Sequence, residues 1–176
     1  MPTTQSWLPD DYKLKESTWG NYFKITEEVQ EFRILTSPVI WWEYFREEDW
    51  KSVPVRQHEE FDSIPSDSKN WDKPKEFWAF VVWNHTLGKV QIMEITQQSI
   101  KKEIWKYAKD EENWGDPKNY DFSISKTWKG KETRYVLMAL PKSKFESDSD
   151  KDGAFELAKP VNLNALFDGA DPFKPF

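Results

Sequence analysis

Cysteine is absent from the chain, which excludes disulfides, iron–sulfur clusters and thiolate-ligated zinc and suits a reducing compartment. Histidine is scarce. His58 falls in a polar stretch and His85 at a turn between two apolar runs, and neither has a motif partner. GxxxxGK[ST], GxGxxG and HExxH motifs are all missing. The neighbouring acids Glu27-Glu28, Glu47-Glu48-Asp49 and Glu59-Glu60 read as solvated faces. A glycosidase pair would have to oppose each other across a sugar, about 5–9 Å apart. No enzyme, cofactor or metal site is therefore expected. There is no apolar run of the roughly 18 residues a membrane helix needs. Met1–Ser6 carries neither a basic flank nor an apolar stretch. The expectation is a cytoplasmic protein with no membrane contact and no export signal.

Aromatic residues stand out against these absences. They make up 16% of the 176 residues, with 11 Trp, 12 Phe and 6 Tyr, although only 38% of the chain is apolar and 32% is charged. Large rings fill a modest core efficiently, but so many tryptophans exceed what one small core needs, so some are expected on the surface. The net charge of −6 by itself argues against a polyanionic partner, yet its distribution is uneven. Residues 146–176 hold seven acidic and three basic residues and no Trp or Tyr, which leaves −2 on residues 1–145. The composition changes near Phe145, and Glu146–Gly153 reads as a solvated, self-repelling linker. The expected organisation is an N-terminal arm over 1–19, a domain over 20–145 and a flexible acidic tail over 146–176.

The body alternates as strands do. Gln30–Thr36, Val39–Arg46, Phe77–Asn84, Lys89–Ile95, Tyr120–Lys126 and Thr133–Leu140 are predicted strands, rich in aromatic and β-branched residues. Residues 47–75, with prolines at 54, 65 and 74, read as a long excursion. His85–Gly88 predicts a hairpin turn and Trp128–Lys131 a second connection. Ile100, Ile104, Tyr107 and Ala108 recur at helical spacing after Ser99, a plausible N-cap. Strands with one interposed helix and no βαβ rhythm predict a mainly β fold, a five-stranded Greek-key barrel of the OB type with room for one added strand. Phe32, Trp41, Phe45, Trp83 and Phe122 are candidates for its core.

Proteins that hold unpaired nucleic acid stack bases on exposed rings and track phosphates with Lys or Arg. Trp42 and Tyr44 share a strand face with Arg46, and Trp78 and Phe80 share another that Lys73 and Lys75 lead into. Trp128 lies among Lys126, Lys129, Lys131 and Arg134, with Tyr135 following. These residues form the candidate DNA-binding set. A carbohydrate-binding module would also expose Trp and Tyr on a β scaffold, but the acidic tail and the missing export signal speak against it. Asp148-x-Asp150-x-Asp152-Gly153 opens like a calcium loop, but Lys159 occupies the position that needs a bidentate Glu. The stretch Asp171-Pro172-Phe173-Lys174-Pro175-Phe176 combines an aromatic tip with a carboxylate, a compact peg for a basic-rimmed pocket. Asp171, Pro175 and Phe176 are the candidate docking residues.

The segments Trp7–Tyr12, Gly20–Lys24, Phe32–Pro38, Trp42–Phe45, Phe77–Asn84, Val90–Ile100 and Trp114–Pro117 carry a family likeness. Over roughly residues 7–145 the chain resembles the single-stranded DNA-binding proteins of tailed bacteriophages and prophages. The resemblance implies an OB fold, protection of replication or recombination intermediates in a bacterial host cell, and no catalysis. It further implies that the Pro175-Phe176 ending recruits replication or recombination proteins, as the similar tip of bacterial single-strand-binding proteins does. It leaves the oligomeric state open. Some phage proteins of this class carry a Cys/His zinc site, which a chain without cysteine cannot build.

Overall fold

A computed structural model describes residues 18–174. It is mainly β: an open antiparallel sheet of seven strands with two helices. The strands are β1 (Gln30–Ile34), β2 (Val39–Glu48), β3 (Lys51–Gln57), β4 (Lys75–Asn84), β5 (Lys89–Ile95), β6 (Asp121–Lys129) and β7 (Glu132–Leu140). Helix α1 (Gln98–Lys109) joins β5 to β6, and α2 (Asp148–Ala158) follows β7. β1 and β2 lie end to end along one edge of β4, with Phe32 opposite Asn84 and Trp41 opposite Phe77. β5 takes the other edge, with Trp78 opposite Ile95. β6 returns to β1, with Phe32 opposite Phe122, and continues into a hairpin with β7. The turn of that hairpin uses Gly130 at φ 65°, a conformation open to glycine without strain.

β4 organises the interior because both of its faces are apolar. Phe80 and Val82, with Trp78 at their edge, face one core with Phe32, Ile34, Met93, Ile95, Phe122, Ile124 and Leu137. Ile100 and Ile104 of α1 complete it, as the helical spacing predicts. Phe77, Ala79 and Val81 face a second core with Leu35, Trp41 and Ile92. Phe32, Trp41 and Phe122 are buried as expected, while Trp83 is only half-buried. Phe45 departs from expectation. It is 44% exposed on the β2–β3 hairpin, opposite Pro54.

The second core corrects the reading of the C-terminal residues as a flexible tail over 146–174. Ser147 caps α2 by accepting from the Asp150 amide at 3.1 Å, and Asp148 and Asp150 sit in the first turn, where the helix dipole favours negative charge. Ala154, Ala158, Leu163 and Leu166 are buried against the outer face of β4. Phe167 stacks on His58 at 4.8 Å and meets Trp41 edge-on at 5.2 Å, while Arg56 donates to the Leu166 carbonyl. The acids point outward, so the segment repels itself little and covers apolar surface. The shift near Phe145 is one of composition, not of packing. Helix formation also breaks up the calcium-loop pattern, since a 100° step per residue turns Asp150 well away from Asp148.

Two further expectations are revised. The excursion over 47–75 contains β3, whose Pro54 is tolerated because β3 is an edge strand. The N-cap of α1 is Gln97 without a side-chain cap bond, and Ser99 lies inside the first turn.

Asp121 ties the cores together. Its buried carboxylate accepts from Arg33 Nε at 2.8 Å, lies 2.8 Å from His85 Nε2, and accepts from the Lys144 amide at 2.6 Å. Arg33 and His85 in turn pack on Phe145, where the C-terminal segment begins. Burial alone would raise the Asp121 pKa, but the hydrogen bonds from His85, Arg33 and the Lys144 amide hold it at about 2, below the ordinary 3.8.

Asp121→Asn should therefore lower stability by about 3–5 kcal/mol in denaturant unfolding, because it strands a buried guanidinium. The carboxylate's contribution is complete above its ordinary value and is lost as pH falls toward about 2. The variant should lose less stability than the parent over that acid range. Leu166→Ala should cost about 2–4 kcal/mol in the same measurement; an unchanged midpoint would mean that the C-terminal segment is not part of the core.

Candidate nucleic-acid interface

The face of the sheet that forms the first core continues past the packed region and ends in rings. Trp42 on β2 lies opposite Glu76 of β4, and Trp78 follows two residues along the same face. Both indoles are half-buried. Trp78 Nε1 donates to Glu76 Oε1 at 3.2 Å. Glu76 would repel a phosphate, but the buried Lys101 of α1 donates to its carbonyl at 2.9 Å and lies 3.6 Å from its carboxylate. The acid is thereby offset locally.

The same surface continues across β5. Trp78 pairs with Ile95, and two residues beyond, Gln97 Nε2 donates to the Tyr135 hydroxyl at 3.3 Å. Tyr135 lies opposite Lys126, and Trp128 follows on the same face. The Lys126 ammonium sits 5.6 Å from the centre of the Trp128 ring, and that ring is 58% exposed. Lys131 and Arg134 are exposed on the same hairpin, Arg134 on its opposite face across from Thr127. Lys129 ends β6 opposite Glu132. Lys73 joins Trp42 at the other end, where both line a small pocket of about 220 Å³ with Phe61, Ile64 and Pro74. The register thus strings Trp42, Trp78, Tyr135 and Trp128 along one rim, with Lys73, Lys126 and Lys131 beside its two ends.

Other expected site residues lie elsewhere. Phe80 is fully in the core and presents no ring face to solvent. Tyr44 is also buried: its hydroxyl donates to Asp67 at 2.9 Å and its ring meets Phe61 edge-on at 5.2 Å. Burial, with the Asp67 carboxylate second, raises its phenol pKa. Arg46 is engaged with Glu48 at 3.1 Å, and Lys75 lies opposite Glu43 on the outer face. Asp171 belongs to the docked C-terminal segment, where it accepts from the Phe173 amide at 2.9 Å. Pro175 and Phe176 lie outside the described residues.

Sequence reasoning missed Gln97 and Lys101, which no motif marks, and the exposed Trp50, Trp71 and Trp105. Trp105 was detectable in principle, because it falls off the Ile100/Ile104/Tyr107 stripe of α1. Among the described residues no group of three His, Asp or Glu is placed to hold a metal. Rings flanked by cations suit stacking and charge attraction.

Tyr44→Phe should cost about 1 kcal/mol of stability through the lost hydrogen bond to Asp67. It should leave ligand affinity unchanged in a direct titration, whereas a weakened affinity would return Tyr44 to the binding surface. No protein-family model matches the chain, and no curated protein matches it.

Proposed function

We propose that the protein binds single-stranded DNA without sequence preference, serving replication, recombination or repair and doing no chemistry on the strand. Trp128 carries the reading: a solvent-facing indole on the β6–β7 hairpin with the Lys126 ammonium over its ring and Lys131 exposed in the adjoining turn. Every nucleobase has a flat face and every nucleotide a charge, so this pairing suits any sequence. Trp42 and Trp78 extend the platform, and Lys73, Lys126 and Lys131 meet phosphates.

An OB-type barrel is the proposed framework. β1 pairs with both β4 and β6, β4 and β5 form a hairpin, α1 precedes β6, and β6 and β7 form a second hairpin. That connectivity supports a Greek-key barrel with the β2–β3 hairpin as an added arm. The stretch from Asp171 through Pro175 and Phe176 is the proposed contact for replication or recombination proteins.

Trp128→Ala should weaken oligo-dT binding by about 1–3 kcal/mol, roughly thirtyfold in the middle of that range, as read by intrinsic fluorescence. Affinity should fall with salt by about 0.7 log units per log unit for each phosphate neutralised. Unchanged affinity in Trp128→Ala and Trp42→Ala together would remove the stacking surface. A ligand affinity indifferent to salt would instead favour a neutral sugar.

A further inference from the structure

Two tryptophans stand where tryptophan is conformationally disfavoured. Asp49 (φ 49°) and Trp50 (φ 64°) make the two-residue turn that joins Glu48 to Lys51. A turn with positive φ at both central positions favours Asn-Gly or Asp-Gly, and a bulky ring at the second position strains it. Trp50 is 95% exposed, so no packing offsets that strain. The pattern recurs nearby. Asn70 and Trp71 both have φ 56°, and Trp71 is 69% exposed. Lys69 Nζ donates to Ser52 Oγ at 2.9 Å, and Ser68 bridges to Arg46. The turn bearing Trp71 is therefore tied to the hairpin two residues from Trp50.

The arm stands clear of the main sheet. β2 pairs with β4 only as far as Glu43, and Tyr44–Glu48 run on paired with β3. Five residues at about 3.4 Å each carry the tip about 17 Å past the last β4 pairing. Local charge is nearly balanced, with Arg46, Lys51 and Lys69 facing Glu47, Glu48 and Asp49, and Arg46 already paired with Glu48 at 3.1 Å. Such a tip has little grip on phosphates but offers two flat rings.

We propose that Trp50 and Trp71 form an outer stacking arm that takes nucleobases of a strand already held at the Trp42–Trp128 rim. This rests on the single-strand reading above. The backbone strain is kept because the rings serve the ligand and not the fold.

The test titrates the parent, Trp50→Gly/Trp71→Gly and Trp128→Ala with oligo-dT from about 4 to about 16 nucleotides. Glycine suits positive φ, so the double variant should unfold at the parent temperature or above it. It should bind the shortest oligomers as the parent does and the longest about tenfold more weakly, with the salt slope unchanged. Equal affinity at every length would overturn the arm, as would an equal loss at every length. Should the parent itself fail to bind any oligomer, the single-strand reading would fall. If Trp128→Ala weakens binding while the double variant does not, the arm alone is lost.

Discussion

Strand β4 has no solvent face, and this constraint shapes the rest of the molecule. Phe77, Ala79 and Val81 project to one side and Phe80 and Val82 to the other, all of them 2% exposed or less. An antiparallel strand at a surface would alternate apolar with polar side chains. This one does not, so the chain must supply two covers. The first consists of β1, β5, β6 and β7 with α1. The second is the acidic C-terminal segment, which hides its few apolar residues against Trp41, Phe77, Val81 and Ile92 and turns its charges outward. Arg33, Asp121 and His85 join the covers by fixing Phe145, where the second one begins.

With both faces of β4 committed to packing, the proposed rim of the sheet lies where the first core runs out. Trp42, Trp78, Tyr135 and Trp128 occupy that margin. They combine core-like ring character with partial exposure because they continue the inward face beyond the packed region. The Lys101–Glu76 contact resolves the chief electrostatic objection to the rim. The whole chain remains acidic; many of its acids lie away from the rim, on α2 and the β2–β3 arm, while Glu60 of the excursion lines the Trp42 end beside Lys73.

Much of the fold was legible because strand alternation survives in single sequences. β5 has the expected bounds, and β1, β2, β4, β6 and β7 differ from expectation by a few residues at their ends. β3 was hidden because Pro54 and the strained Asp49–Trp50 turn imitate a loop, and edge strands tolerate both. The C-terminal segment was hidden because charge dominates its composition, whereas its docking depends on four small or aliphatic side chains spaced over thirteen residues, Ala154 to Leu166. The rim was only partly legible. Alternation put Trp42 with Tyr44 and Trp78 with Phe80, but it says nothing about where along a face burial ends. Tyr44 lies under Phe61, and Phe80 lies in the core beyond Trp78.

The most direct test is amide hydrogen exchange on the full chain, alone and with excess oligo-dT. In the free protein, Ala154–Ala158 and Leu163–Leu166 should be protected nearly as well as β4. Oligo-dT should add protection around Val39–Tyr44 and Lys126–Tyr135. Rapid exchange in the C-terminal segment would contradict the two-cover fold, and an exchange pattern indifferent to dT would contradict the rim as a DNA surface.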